Sequence, residues 1–232
     1  MTNFTKITLI IILFLSLFLR TYKLDQVPPS LSWDEAAVGY NGWAIANYGR
    51  DEYGKFFPLF FRSFRDDKHP VHIYATAIFI KFFGLNEFST RLPAALFGVF
   101  NVLLIYFLAK ILLKKEIIGL AAALFLAISP YNLHFSHFNH EVNFALFFLL
   151  LALIIFYISL KKRSLLPVSL LSFIICFLSY HTSKILVPII LLTISTLYYR
   201  SIFLNKKGLI ASFLMLLAFA FIIKANPELL GT

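Results

Sequence analysis

Cysteine is nearly absent from this chain of 232 residues: Cys176 is the single one. No disulfide can form within the chain, and no cysteine-based metal site can be built. Charge is scarce too. Only 14% of the residues are Asp, Glu, Lys or Arg, against about 25% in an average soluble domain. Hydrophobic residues make up 60%, and the mean hydropathy is +0.83. Such a chain cannot cover its own surface with polar groups. That excludes an ordinary soluble domain and makes lipid part of its solvent. Acids are the scarcer sign, 11 against 21 Lys and Arg, for a net charge of +10. The cations stand in short clusters between apolar runs, which is how membrane loops are marked. No nucleic-acid partner is expected; the bilayer is.

What is present is a series of apolar runs near the length that crosses a bilayer as a helix. Seven are read, over residues 5–22, 91–113, 116–130, 141–160, 165–181, 184–200 and 208–224. The fold class expected is all-α, a polytopic membrane helix bundle forming one module over residues 1–232. The first run lacks a small-residue cleavage site before Arg20-Thr21-Tyr22, so it reads as an uncleaved span, not a signal peptide. Three basic clusters alternate with the spans: Lys110/Lys114/Lys115, Lys161/Lys162/Arg163 and Arg200/Lys206/Lys207. The positive-inside rule places all three in the cytoplasm, together with the N-terminus, in a multi-pass plasma-membrane protein. Residues 23–90 then form the first outer loop. The run 71–85 is interrupted by Lys81. If it crossed, every later cluster would change sides, so it is expected to lie in the outer interface.

This topology sorts the reactive side chains. Eight of the 11 acids fall within residues 20–91, and all six histidines lie in or beside outward segments. Ionisable groups at a membrane face are functional candidates by default. Ser32-Trp33-Asp34-Glu35 opens a helical pattern, and Ser32-x-x-Glu35 is a capping box that gives Glu35 a local task. Asp34 has no such task, and a carboxylate at a helix start is stabilised as the anion, which suits a base. Glu141, in His137-Phe138-Asn139-His140-Glu141, is a second acid; its local alternative is a helix start capped by Asn139. Lys68, Arg91 and Lys184 are outward cations, either anchors or a pocket for a lipid phosphate. His134, His137 and His140 are spaced like a metal comb, but residues six apart do not share a helix face. The sequence requires no cofactor and no dedicated metal site; a divalent ion stays open.

These residues carry a resemblance. The blocks SLSWDEAAVGYNGWAIANYGRDEYGKFFPLFFRSFRDDKHP, FGLNEFSTRLPAALFGVF, ISPYNLHFSHFNHEVNFALFFLLL and LSYHTSKILVPI, in that order, resemble bacterial polyprenyl-phosphate-sugar-dependent glycosyltransferases of the GT-C type. That class includes the protein O-mannosyltransferases (glycosyltransferase family 39) and the lipid A aminoarabinose transferase. The resemblance implies a catalytic base at Asp34, less surely Glu35, and a second acid at Glu141. It implies substrate-binding roles for Lys68, Arg91, Lys184, His137 and His181 around the carrier phosphate. Relatives often have arginine where this chain has His137 and Lys184. They are usually longer, with more spans, so the chain resembles their N-terminal module.

The function this implies is transfer of a hexose or pentose from a polyprenyl-phosphate carrier to a lipid, glycan or protein acceptor at the outer face. The carrier phosphate is already a competent leaving group, so the site needs cations for its charge and a base for the acceptor hydroxyl. Single displacement would invert the anomeric carbon. Base and cations should then face each other across a gap on the order of 10 Å, too wide for direct pairing. The alternatives are a non-catalytic membrane partner of a longer enzyme and a transporter-like protein. A transporter should show polar span interiors and matched broken helices, whereas these spans are mostly Leu, Ile and Phe.

Overall fold

The computed structural model describes residues 2–63 and 67–229; Asp66, one of the acids counted above, lies outside them. The described residues form helices and no strand, with two isolated bridges, Arg50 to Phe56 and Phe61 to Lys68. The helices are α1 (Asn3–Thr21), α2 (Trp33–Tyr48), α3 (Pro70–Phe83), α4 (Glu87–Leu113), α5 (Glu116–Ile128), α6 (Pro130–His137), α7 (Val142–Ser159), α8 (Leu166–Phe177), α9 (Ser183–Leu197), α10 (Tyr199–Phe203) and α11 (Lys206–Ala225).

The burial pattern inverts that of a soluble bundle. On α1, Phe4, Ile7, Ile11, Phe14 and Phe18 are exposed along one face, while Thr5, Ser16 and Arg20 are buried. Apolar groups outside and satisfied polar groups inside are what a hydrocarbon solvent selects. Each of the seven expected spans has an apolar helix, but the expected lengths are not all met. Four helices (α1, α4, α7 and α11) are individually long and apolar enough to cross. A fifth span is available if α5 and α6, bent by 54° at Ser129-Pro130, count together. Pro130 lacks the amide that would continue α5. The helices over 163–177 and 183–197 are shorter.

The bundle has two chemically different ends. At one, the Thr2 amide and the Thr5 hydroxyl donate to Glu116 at the start of α5. Lys110 pairs with Glu116 at 2.6 Å, and between the α7–α8 and α10–α11 turns Arg163 donates to the Leu204 carbonyl while Asn205 Nδ2 donates to the Arg163 carbonyl. The N-terminus and the three basic clusters therefore share this end. At the other end α4 and α7 start side by side, with Asn143 Nδ2 donating to the Ala94 carbonyl at 3.2 Å.

Short connections and two close approaches shape that second end. Helices α2 and α3 pack together at Gly42, where an added Cβ would stand 3.3 Å from the Ala77 amide nitrogen. At Gly98 of α4 an added Cβ would meet Ser136 and the Arg20 side chain. Arg20 falls within the first expected span, residues 5–22. It is buried in the last turn of α1, donating to Ser16, Leu126 and Ala127 oxygens and to Asn132 Oδ1 at 2.5 Å. The carbonyls at the C-terminal end of α5 welcome a cation, so Arg20 fastens the α5–α6 bend to α1. Helix α3, 14 residues long, would reach about 21 Å at 1.5 Å per residue, short of the roughly 30 Å hydrocarbon core.

Candidate active site

The site is built on a frame that begins at α2. The Glu35 amide donates to Ser32 Oγ and the Ser32 amide to Glu35 Oε2, both at 3.1 Å, completing the capping box. Glu35 is fully buried and also accepts from Arg91 Nε at 2.8 Å. Arg91 donates further to the carbonyls of Leu24, Pro28 and Ser30. The Asn139 amide adds a bond to Glu35 Oε1 at 3.4 Å. One carboxylate thus joins α2, α4, the 24–30 loop and the α6–α7 loop.

Asp34, one residue earlier, is left on the edge of this frame with its side chain 42% exposed. Lys68 reaches it from the segment before α3, with Nζ 2.7 Å from Asp34 Oδ1. The Lys68 backbone is held by paired bonds with Phe61, 3.1 and 2.7 Å long. Next to it, the His69 amide donates to Glu141 Oε1 at 3.4 Å.

Glu141 sits at the start of α7 among histidines. His69 Nδ1 lies 3.6 Å and His72 Nε2 3.9 Å from its Oε1. Burial pushes its carboxyl up, but the nearby His69 side chain and the electrostatics of the surrounding rings outweigh it and hold the group well below the usual carboxylate range. Burial takes the His72 ring down to about 4, with Glu141 opposing. His140 Nδ1 accepts from the Val142 amide at 3.2 Å, which puts its ring proton on Nε2. The His181 ring meets His69 edge to face, centroids 4.3 Å apart.

Asp34, Lys68, His72, His140, Glu141 and His181 line one cavity of about 240 Å³, together with Val38, Phe138, Asn139 and Tyr180. A second, mostly apolar cavity of about 290 Å³ runs between α7, α8 and α9 and shares Tyr180 with the first.

The structure therefore brings Asp34, Glu141, Lys68 and His181 together. Lys184, in the first turn of α9, is within electrostatic reach of Glu141 but is not in the cavity wall. Three expectations need correction. Arg91 does not face the cavity; its donors are held by Glu35 and three carbonyls. His137 Nε2 donates to the Leu19 carbonyl at 2.9 Å, tying α6 to the end of α1 away from the cavity. Asp34 and Lys68 pair directly where a gap was expected, because opposite charges on one cavity wall close on each other. Asn139 also differs from its expected cap role. Its Nδ2 donates to Thr76 Oγ1 and the Thr90 carbonyl, so it braces α3 against α4 and leaves Glu141 uncapped by it. His69, His72 and Asn139 were not read as site residues. The signal available was their place in the His69-Pro70 and Asn139-His140-Glu141 blocks. Among the described residues no group of three or more His, Cys, Asp or Glu side chains is placed to hold a metal ion.

A helical membrane bundle with two acids and a lysine in a polar cavity at one end has the parts of a membrane-embedded transferase. The chain belongs to the dolichyl-phosphate-mannose-protein mannosyltransferase family, whose model matches residues 67–223. Lys68, Arg91, Glu141, His181 and Lys184 fall inside that match; Asp34 and Glu35 precede it. Among curated proteins, "Putative mannosyltransferase YycA" of Bacillus subtilis (strain 168) is 33% identical over 145 residues, 62% of this chain and 20% of the relative. "Putative mannosyltransferase YkcB" of the same strain is 28% identical over 195 residues, 83% of this chain and 26% of the relative. The chain thus matches about a quarter or less of the length of these relatives. No solved structure matches.

Proposed function

We propose that the chain is a glycosyltransferase module that moves a hexose or pentose from a polyprenyl phosphate to a lipid, glycan or protein acceptor, by inverting single displacement at the outer membrane face. The observation that carries this reading is the convergence of Asp34, Lys68, Glu141 and His181, from four distant segments, on one cavity. Separate tasks as caps or anchors would not require them to meet. The acceptor oxygen bonds to the anomeric carbon as the bond from that carbon to the phosphate oxygen breaks. Asp34 takes the acceptor proton, and Lys68, with Lys184 near the rim, stabilises the charge on the departing phosphate. Glu141, kept anionic, orients the acceptor or the sugar hydroxyls. No step here is routed through a metal; a divalent ion recruited by the acids is a variant that chelation during the assay would expose. The adjoining apolar cavity suits the first isoprene units of the carrier. The cavity itself is smaller than the several hundred Å³ usual for drug-sized ligands, which suits one sugar ring.

The test is transfer of labelled sugar from a polyprenyl-phosphate donor by the purified chain in lipid. Product of inverted anomeric configuration is expected. Binding of the carrier with no turnover on any acceptor would favour the non-catalytic partner reading.

Orientation belongs to the same proposal. With the basic end cytoplasmic, cysteines placed at positions 34 and 137 should react with an impermeant thiol reagent added outside intact cells. Those at 114, 162 and 206 should not. Strong labelling at 162 with none at 34 would reverse the topology. Cys176 is buried and gives little background.

A further inference from the structure

We infer that Lys68 is a shared cation that holds Asp34 in the present arrangement and is handed to the carrier phosphate when donor binds, so that the base is released only in a donor-loaded site. This rests on the transferase reading above and adds a control to it.

The argument starts from what can move. Asp34 stands in the first turn of α2, whose start is fixed by the capping box and by the Glu35–Arg91 pair. The Lys68 backbone is fixed by its bonds to Phe61 and by the neighbouring His69–Glu141 bond. The four-carbon stem of Lys68 is the flexible part between them. In the present arrangement its ammonium occupies Asp34 Oδ1 at 2.7 Å. The ammonium so held takes acceptor capacity from the carboxylate that would receive the hydroxyl proton, and a base must sit within hydrogen-bond reach of the proton it takes.

Both groups line the same cavity. An anionic phosphate entering it competes with Asp34 for the same ammonium. Either bond is charge-assisted, so the exchange replaces like with like. The Asp34 side chain is 42% exposed, and ion pairs open to solvent are weak, so Asp34 is the easier partner to give up. Donor should therefore bind before a productive acceptor, and donor binding and base release become one event.

A double-mutant cycle on donor binding reads this directly. The probe is a polyprenyl phosphate carrying no sugar, measured on the full chain in lipid nanodiscs, with the matching polyprenol as a control. Four proteins are compared: the parent chain, Asp34→Asn, Lys68→Met and the double variant. Met keeps the length of the buried stem; Lys68→Gln serves as a second variant should Met fail to fold. Asp34→Asn should bind the polyprenyl phosphate roughly two- to fivefold tighter than the parent chain, the fold-change equivalent of a partly exposed ion pair. In the Lys68→Met background the same substitution should change nothing. The polyprenol should not distinguish the four. Equal tightening in both backgrounds would mean simple repulsion between Asp34 and phosphate, and would overturn the inference. So would no tightening at all. Failure of the parent chain to bind polyprenyl phosphate better than polyprenol would sink the transferase reading itself, and this proposal with it.

Discussion

Asp34→Asn should lower the rate of sugar transfer by roughly two to four orders of magnitude, the contribution of a positioned general base, while leaving the fold in place. The substitution removes the proton acceptor and keeps the side-chain shape. Asp34 is partly exposed and makes no bond within the Glu35–Arg91 frame, so melting of the variant in lipid should stay close to that of the parent chain. Single-turnover transfer from a preloaded donor is the measurement, because it separates the chemical step from binding. A rate within about fivefold of the parent chain would remove Asp34 from the reaction, as a true base contributes far more than that. Glu141 would then be the remaining acid in the cavity.

The neighbouring residue should behave in the opposite way. Glu35→Ala or Arg91→Met leaves one charge of a fully buried pair without its partner. That costs on the order of 3–5 kcal/mol, enough to deplete folded protein severely. Glu35→Gln should cost less, since the amide oxygen can still accept from the Ser32 amide and from Arg91. The double variant Glu35→Gln/Arg91→Met should recover part of the loss seen with Arg91→Met alone, because no unpaired buried charge remains. Melting temperature and yield of folded protein test this, with transfer normalised to folded protein. A Glu35→Gln variant that melts normally yet transfers nothing would show that Glu35 acts in the chemistry.

Which parts of this site were readable from sequence follows the range of the interactions. The apolar runs and the basic clusters between them were legible because composition alone dictates them in lipid. The Ser32–Glu35 box was legible because its partners are three residues apart. The partner of Arg91 was not, since it is chosen by packing across 56 residues. Arg91 looked like a free outward cation because nothing near it in sequence could satisfy it. The role of Arg20 was not legible for the same reason: its acceptors lie at Leu126, Ala127 and Asn132. His137 and Asn139 sit in a block whose residue types suggested a site, but side-chain direction decides membership, and a local pattern does not fix direction at a helix end. The α5–α6 bend was not read, although Pro130 stands at it, and a proline tells where a helix breaks and not by what angle.

The division of labour between Asp34 and Glu35 has a consequence for the order of the two letters. Successive residues on an α-helix point about 100° apart, from 3.6 residues per turn. The direction taken by Glu35 leads inward to Arg91; the direction taken by Asp34 leads to the cavity edge and Lys68. Neither side chain can reach the other's partner by a rotamer change, because the helix start is clamped in phase by Ser32. Asp-Glu and Glu-Asp are therefore different words here, although they carry the same charge and nearly the same composition. The shorter side chain stands at the cavity edge, and the longer one where an arginine is met at depth. A comparison that scores acids as interchangeable would miss this grammar, and a search for related sites gains by requiring it.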